Sequence, residues 1–293
     1  MTRKITIIGA TGHLGHRVTA KLVEKGTEVT AIVRDPVAAE SKLPSEMRLV
    51  QGDVSDPSSL TAALRGTETL YITLNTESLD TSQPFHTERE GVINVVAAAQ
   101  EAGVQHIMQI AGVDYMHPEF STDGMAYGTN AIRKGGIDAI KASGIPFTFF
   151  YCSFFLDSLT KLLMDNQLAV IGNHVHPIWF TNSSDLADLV FNAIGNEAAK
   201  NKEFAVQGRQ AMTYSEAAKE FLGTFAPEAE VIQLPMEATG EMGLPEEQAI
   251  FIEHVLTFVQ QLREEQVSGE TWKILGTPKH TISSFAEELR SDT

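Results

Sequence analysis

Short apolar runs rich in β-branched residues alternate with helix-period segments through the first half of the sequence. Runs of this length, bounded by glycine, proline and polar turn formers, are typical of buried strands. Six strands are predicted here: Lys4 to Ile8, Glu28 to Val33, Arg48 to Val50, Leu70 to Leu74, His106 to Ile110 and Phe147 to Tyr151.

The segments between these strands have the spacing of amphipathic helices. One apolar stripe ends at Gly26 and another at Gly103, and glycine is the residue most common just past the end of a helix. The stripes are Leu14, Val18 and Leu22, then Val92, Val95, Val96 and Ala99. Strands that alternate with helices predict parallel strands joined by right-handed crossovers, hence an α/β fold with a doubly wound, mostly parallel sheet.

The alternation of predicted strands and helices ends after Tyr151. Helical patterns dominate from there, and one further strand is predicted over Glu203 to Gln207. We expect a smaller, mainly helical C-terminal substrate lobe that returns one or two strands to the main sheet. The predicted boundaries are residues 1–152 for the sheet domain and 153–293 for the lobe.

Three helix starts in the lobe are marked by their sequence. Thr213 with Glu216 and Ser284 with Glu287 have the spacing of a capping box, and Pro245 precedes an acidic first turn. The helix after Pro245 carries an apolar face made of Ile252, Val255, Leu256, Val259 and Leu262. Packing against the core and pairing with a second copy both explain such a face, and we favour the core.

Composition narrows the class of protein. The 293 residues carry a net charge of -16, which disfavours binding to nucleic acid. The longest apolar run, Ile145 to Leu156, is shorter than the roughly 20 residues that cross a bilayer. We therefore expect neither a membrane span nor a signal peptide, and the single cysteine, Cys152, favours a reducing compartment such as the cytoplasm.

The sequence GATGHLG over residues 9–15 directly follows the first predicted strand and opens the first helix. In a strand-turn-helix unit of this kind Gly9 permits the tight turn, Gly12 lets the backbone approach a pyrophosphate, and Gly15 lets the helix pack against the sheet. The helix N-terminus then offers N–H donors and a positive dipole end to the phosphates. This Rossmann-type motif predicts a dinucleotide site that includes Thr11, His13 and Leu14.

Further motifs resemble one family. The glycine spacing, VRDP at 33–36, GD at 52–53, AAAQEAGVQHI at 97–107, SGIPFTFF at 143–150 and SSDLAD at 183–188 are similar to the NmrA-like atypical short-chain dehydrogenases/reductases. That family includes NADPH-dependent reductases of quinones, dyes and phenylpropanoids, and redox-sensing regulators that bind NADP without evident turnover. The resemblance therefore implies the cofactor more firmly than the reaction.

The end of the second strand bears on the choice of dinucleotide. An acidic residue there would bind the ribose 2′-OH of NAD, and an arginine would accept the 2′-phosphate of NADP. Arg34 and Asp35 both stand at this point, and successive strand residues point to opposite sides. The family pattern favours Arg34 and hence NADP(H) over NAD(H), although a solvated surface arginine is the alternative.

Two polar residues follow later strands at the same edge of the sheet. Asp53 resembles the residue that contacts the adenine in this superfamily, although a turn-capping role explains it nearly as well. Asn75 is a cofactor candidate by position, because ligands of such sheets bind at the carboxyl ends of the strands.

Ordinary short-chain dehydrogenases use a serine and a Tyr-x-x-x-Lys motif, in which the tyrosine gives a proton to a carbonyl as hydride arrives. This chain lacks that set. By resemblance, the catalytic lysine of many family members aligns with Arg133, and Lys134 follows it. Arginine keeps the charge but does not readily give up a proton, so Tyr115, Tyr127 and Lys134 are the candidate donors.

Aromatic residues after the sixth strand predict the substrate pocket. Tyr151, Phe154 and Phe155 stand where family members line the space over the nicotinamide, and they suit a flat hydrophobic molecule. Ordinary core packing is the alternative for all three. A metal is not expected, because the pair His174 and His176 lacks an evident third ligand.

Two functions follow from these observations. The first is an NADPH-dependent reductase of a small hydrophobic acceptor of the quinone, enone or imine type. The second is an NADP(H)-sensing regulator of the NmrA type that contacts a protein partner without significant turnover. A sugar-nucleotide epimerase shares the fold but needs the missing Tyr-x-x-x-Lys motif. The sequence leaves homo-oligomerisation open.

Overall fold

The main sheet consists of seven parallel strands. The computed structural model describes residues 2–76, 78–121, 127–164 and 166–291. The strands are β1 (Lys4–Ile8), β2 (Glu28–Val33), β3 (Arg48–Gln51), β4 (Thr69–Ile72), β5 (His106–Gly112), β6 (Phe147–Cys152) and β9 (Lys202–Val206). Their order across the sheet is β3-β2-β1-β4-β5-β6-β9. The predicted doubly wound sheet is confirmed, and β9 is the lobe strand that returns to it beside β6.

Helices cover both faces of this sheet. The helices among the described residues are α1 (Gly15–Glu24), α2 (Pro36–Glu40), α3 (Pro57–Ala63), α4 (Val92–Ala102), α5 (Val113–Met116), α6 (Asn130–Ala142), α7 (Ser183–Ala193), α8 (Tyr214–Phe225), α9 (Glu246–Gln261), α10 (Gly269–Leu275) and α11 (Ile282–Ser291). Helices α1, α7 and α10 bury apolar side chains in one core, and α3, α4 and α6 bury theirs in a second core on the opposite face.

The strand order reverses between β1 and β4. The chain proceeds outward from β1 through β2 to β3, then returns to β4 on the other side of β1 and continues through β5 to β6. In open α/β sheets, ligands bind in the crevice at the carboxyl ends of the strands where the order reverses. Strand β4 ends at Ile72, two residues before the predicted end, so Leu74 lies in the loop that faces this crevice.

A second sheet of three strands lies in the C-terminal part and was not predicted. Strand β8 (Gln167–Ile171) is central, with β10 (Glu230–Leu234) parallel on one side and β7 (Leu163–Met164) antiparallel on the other. Leu168 and Val170 of strand β8 are buried in a third core that also contains residues of α8, α9 and α11, and Ala169 and Ile171 are buried in a smaller cluster with Leu256 of α9.

The predicted helix starts are correct in two of three places. Helix α8 has the expected capping box between Thr213 and Glu216, and α9 begins directly after Pro245. Helix α11 begins at Ile282 rather than after Ser284. The prediction was wrong because Thr281 and Ser284 already exchange backbone-to-hydroxyl hydrogen bonds of 2.9 and 3.1 Å, which places the cap three residues earlier.

Candidate active site

A cavity of about 680 Å³ opens at the carboxyl ends of β4, β5 and β6. The glycine loop after β1 forms one end of it and helix α9 forms the opposite wall. Its lining is mainly apolar, with a few polar and ionisable side chains among the apolar ones. This arrangement is typical of sites for small molecules, in which apolar walls supply contact area and a few polar groups supply orientation.

The glycine loop is built so that two of its glycines cannot be replaced without a clash. Gly9 has a φ of +93°, and an added Cβ there would lie 2.3 Å from the carbonyl oxygen of Thr73. A Cβ on Gly15 would lie 2.1 Å from the carbonyl oxygen of Gly9. Both glycines are therefore required by the close packing of the loop and α1 against the strand ends.

Gly12 differs from these two glycines because the space beside it is less crowded. An added Cβ would meet only the carbonyl oxygen of Gly9, at 3.3 Å, and Gly12 lines the cavity. His13, Leu14 and Gly15 line the cavity with it, whereas Thr11 is exposed outside it. An open backbone surface at a helix N-terminus fits a dinucleotide phosphate, which needs close approach to N–H groups.

Arg34 and Asp53 lie outside the cavity, at the carboxyl ends of β2 and β3. Asp35 caps α2 by accepting a hydrogen bond of 3.1 Å from the Ala38 backbone, which leaves the exposed Arg34 as the charged side chain available at this strand end. Asp53 accepts two bonds of 2.8 Å from the backbone and hydroxyl of Ser55. These bonds are those of the turn-capping role. Asn75, by contrast, lines the cavity.

The part of the cavity beside the glycine loop is basic. His13 bonds through its ring nitrogen to the backbone oxygen of Asp157 at 3.2 Å, and burial lowers the pKa of His13 to about 4. Lys161 also lines the cavity and acts electrostatically on His13. Near neutral pH the imidazole is therefore uncharged, and the ammonium of Lys161 supplies the positive charge at this end.

Arg133 reaches the cavity from α6 as a buried cation that already has a partner. Its Nε donates to Glu88 at 2.6 Å and its Nη2 donates to the second Glu88 oxygen at 3.2 Å. Burial opposes the charge on Arg133, but the neighbouring carboxylate raises its pKa overall. Asp114 lies beside this pair and accepts a hydrogen bond from Asn130, and burial raises the pKa of Asp114.

Of the three predicted proton donors, one lines the cavity and two lie outside it. Tyr127 lines the cavity, with its ring stacked 5.6 Å from that of His254. Lys134 is exposed on the outer side of α6, where it pairs with Asp138. Tyr115 does not line the cavity, and its ring lies parallel to that of Tyr151 at 5.8 Å.

The aromatic residues at the end of β6 and just after it have different environments. Phe154 and Phe155 line the cavity, as expected for a substrate pocket. Tyr151 does not, because its fully buried side chain points into the core beneath α3, α4 and α6. Cys152 points the other way and lines the cavity, and burial strongly raises the pKa of its thiol.

Helix α9 supplies the apolar wall opposite the sheet. Its predicted face lines the cavity along its whole length, and Leu256, Val259 and Leu262 are also buried in the core at 3 to 5% exposure. The expectation that this face packs internally is therefore confirmed. The face also serves as the surface that a ligand in the cavity would touch.

Glu264 lies just after α9 and lines the cavity, and it was not predicted from the sequence. The carboxylate of Glu264 accepts bonds from the Ser153 hydroxyl at 2.7 and 2.9 Å, from the Trp179 backbone at 3.1 Å and from the Gln207 amide at 3.2 Å. Burial raises the pKa of Glu264, and the like charge of Asp114 adds to that effect. No local motif marks Glu264, because its partners lie far away in the sequence.

The described residues contain neither a helix that could span a membrane nor a group of metal-ligating side chains. None of the helices within residues 2–76, 78–121, 127–164 and 166–291 is long and apolar enough to span a bilayer. Over the same ranges no three His, Cys, Asp or Glu side chains are grouped as metal ligands would be. His174 stacks on Tyr214 with ring centres 4.8 Å apart and bonds to the Ile171 carbonyl at 2.7 Å.

The strand order and the glycine loop define a Rossmann-type α/β protein. The model of the NmrA-like family matches residues 1–273, and the chain belongs to that family. The resemblance inferred from the sequence motifs is thereby confirmed.

Among curated relatives, the chain is 22% identical to the NAD(P)H azoreductase of Xenophilus azovorans, over 97% of this chain and 96% of that protein. It is 28% identical to quinone oxidoreductase 2 of Escherichia coli, over 74% of this chain and 72% of the relative. Both alignments span most of the two proteins compared.

Solved structures share the fold over nearly the whole chain. The triphenylmethane reductase of Citrobacter sp., complexed with NADP(H), has a TM-score of 0.74 at 22% identity, covering 98% of this chain and 99% of that one. The NADPH-dependent quinone oxidoreductase of Escherichia coli, complexed with NADPH, has a TM-score of 0.74 at 24% identity, covering 97% and 99%.

Proposed function

We propose that this protein is an NADPH-dependent reductase of a small hydrophobic acceptor of the quinone, enone or imine type. The observation that carries the proposal is the continuity of one cavity, which runs from the open backbone at Gly12 to the apolar wall of α9. A dinucleotide on the loop and a flat acceptor against the wall would share that space.

The residues present fit such a cofactor. Gly12 and the N-terminal end of α1 would hold the pyrophosphate, with Lys161 as a nearby positive charge. The adenosine and nicotinamide halves of the cofactor would contact Arg34, Asp53 and Asn75. Of these residues, Arg34 favours the 2′-phosphate of NADP(H). Bound in this way, NADPH supplies a hydride, and the protein's own side chains position the acceptor and exclude water.

The acceptor would lie between the sheet and α9. Phe154, Phe155 and Tyr127 offer aromatic surface there, and Val255 and Leu256 offer aliphatic surface. The azo, quinone and triphenylmethane reductases among the similar proteins support an aromatic acceptor. We assign cofactor binding to residues 1–152 and most acceptor contacts to residues 153–293.

The cellular compartment is a separate part of the proposal. Cys152, the single cysteine, is buried as a free thiol, which is consistent with a cytoplasmic protein.

The test is a binding titration followed by a turnover screen. Purified protein should quench or enhance NADPH fluorescence on binding and should oxidise NADPH when 1,4-naphthoquinone is added. Gly12→Val serves as the variant without a cofactor site, so it should abolish both the fluorescence change and the oxidation of NADPH. Tight NADPH binding without oxidation by any quinone, enone or imine would contradict the reductase and support the alternative, an NADP(H) sensor.

A further inference from the structure

We propose that Glu264 is the proton donor to the acceptor in this cavity, with Ser153 as the residue that positions it. The inference rests on the proposed reductase function and names a catalytic residue for it. Reduction of a quinone to a hydroquinone consumes one hydride and one proton, and the chain lacks the serine and Tyr-x-x-x-Lys set that supplies the proton in related enzymes.

The position of Glu264 is the first support. The side chain lines the cavity together with Ser153 and Phe154, which directly follow β6. That strand end is where we expect the acceptor to lie. Of the donors predicted from sequence, Lys134 and Tyr115 lie outside the cavity, whereas Tyr127 lines it with its ring packed against those of His254 and Phe258.

The hydrogen-bond pattern is the second support. The Glu264 oxygen Oε2 accepts from the Trp179 backbone and the Gln207 amide, which anchor it, and lies 2.9 Å from the Ser153 hydroxyl, whereas Oε1 has only that hydroxyl, at 2.7 Å, as its partner among these contacts. A carboxyl group held by one oxygen can carry a proton on the other. The Ser153 hydroxyl can rotate to accept from that proton or to donate to the bare carboxylate.

Electrostatics supports a proton on Glu264. Burial and the nearby Asp114 raise the pKa of Glu264, and its hydrogen bonds from Ser153, Trp179 and Gln207 lower it by less. Burial raises the pKa of Asp114 as well, and the other charged residues that line the cavity are Glu88, Arg133 and Lys161. Arg133 is neutralised by Glu88, and Lys161 acts on His13 at the glycine loop.

The reaction balances with this assignment. One quinone oxygen gains a hydride from NADPH, so that an O–H bond forms as a C–H bond of the cofactor breaks, and the ring electrons shift to leave a negative charge on the opposite quinone oxygen. That oxygen takes the Glu264 proton to form an O–H bond. Glu264 becomes a carboxylate held by Ser153 and then regains a proton from solvent.

Glu264→Gln is the decisive variant because the amide fits the same contacts. Its oxygen can accept from Trp179 and Gln207, and its NH2 group can donate to Ser153. Turnover of 1,4-naphthoquinone should fall roughly 100-fold or more, the usual contribution of a general acid, while NADPH binding is unchanged. The exposed neighbour provides the control, and Glu265→Gln should match the wild type.

A second acceptor separates proton transfer from a structural effect. The cation 10-methylacridinium takes a hydride and becomes neutral without a proton, so Glu264→Gln should reduce it at the wild-type rate. Equal losses with both acceptors would overturn the proposal. If neither acceptor oxidises bound NADPH in the wild type, the proposed function itself fails, which is a different outcome.

Two measurements remain informative if Glu264→Gln folds poorly. Infrared difference spectra of the wild type without cofactor should show carboxylic acid bands that titrate above the exposed carboxyl groups, because burial raises the pKa of Glu264, Asp114 and Asp157, and Ser153→Ala should move one of these transitions to higher pH. Naphthoquinone turnover should fall as pH rises through that transition, and Ser153→Ala should move the fall to higher pH because the carboxylate loses a donor. Absence of an acid band that Ser153→Ala moves, or an unmoved profile in that variant, would overturn the assignment.

Discussion

Arg133 and Glu88 form a buried ion pair with two hydrogen bonds, 2.6 Å from Nε to Oε1 and 3.2 Å from Nη2 to Oε2. Glu88 is 2% exposed and Arg133 is 8% exposed. The adjacent Lys134 instead pairs with Asp138 in solvent. Neighbouring residues of α6 thus have opposite environments, because successive helix positions are about 100° apart.

The first prediction compares these neighbours. Arg133→Ala leaves the Glu88 carboxylate buried without its partner, which costs about 3–5 kcal/mol of unfolding free energy. Lys134→Ala removes an exposed ion pair, and such pairs contribute little to stability because solvent screens them. Urea denaturation measures both, and quinone turnover should follow the same ranking, with Arg133→Ala the more impaired. Glu88→Gln added to Arg133→Ala should recover part of the stability, and equal effects of the two single variants would refute the prediction.

The second prediction concerns cofactor choice. If Arg34 contacts the 2′-phosphate, the charge-assisted bond is worth about 1.5–3 kcal/mol, which is roughly tenfold or more in affinity for NADPH over NADH. Arg34→Glu should remove that preference in fluorescence titrations. Arg48→Glu makes the same charge change at the amino end of β3 and should leave the preference intact. Equal affinities of the wild type for both cofactors would refute the role of Arg34.

The third prediction separates two glycines of one loop. Gly12→Val should fold but lose NADPH-dependent thermal stabilisation, because an added Cβ meets only the Gly9 carbonyl oxygen, at 3.3 Å, and the side chain would occupy the space that the pyrophosphate needs. Gly15→Val should lower the melting temperature without any ligand, since its Cβ would lie 2.1 Å from the Gly9 carbonyl oxygen. If Gly12→Val still shows ligand-dependent stabilisation, the phosphate site lies elsewhere.

The fourth prediction concerns pH and the contact between α7 and α11. His280 bonds to Asp185 at 2.8 Å and to Glu288 at 2.9 Å, and these carboxylates raise its pKa to about 9 from an ordinary 6.5. A raised folded-state pKa stabilises the fold fully below pH 6.5, and the contribution disappears as pH rises through 9. Chemical denaturation between these limits should show the loss.

His280→Gln is the control for that pH dependence. The amide can keep one hydrogen bond but carries no charge, so the variant should be less stable than the wild type at low pH and should approach it above pH 9. A constant difference between the two proteins across the range would show that the charge of His280 is not responsible.

Local sequence was sufficient to predict the frame of the site. The strands before Gly9 and Arg34 are apolar runs with clear ends, and the glycine spacing specifies the turn that follows β1. The second sheet was missed because β7 has two residues and β8 pairs with β10, which lies more than 50 residues further along the chain. Pairing at that distance leaves no local periodic signal.

The predicted chemistry was less complete for the same reason. The alternation of β6 separates Tyr151 from Cys152, but it does not reveal which of the two faces the ligand. Glu264 accepts a hydrogen bond from Ser153, which lies 111 residues away in the sequence. Its proposed role therefore depends on tertiary packing, for which there is no local sequence motif. The predictions from local motifs therefore describe the proposed cofactor end better than the acceptor end.

Helix α9 has a consequence for how this protein could diversify. Leu256 and Val259 face the cavity and are also part of the packed interior, so one set of side chains serves both selectivity and folding. A substitution that enlarges the acceptor space there also removes buried contacts, and truncating such residues to alanine typically costs about 2–5 kcal/mol. Adaptation to bulkier molecules is expected to proceed through the half-buried Ile252 and Val255, where the penalty is smaller.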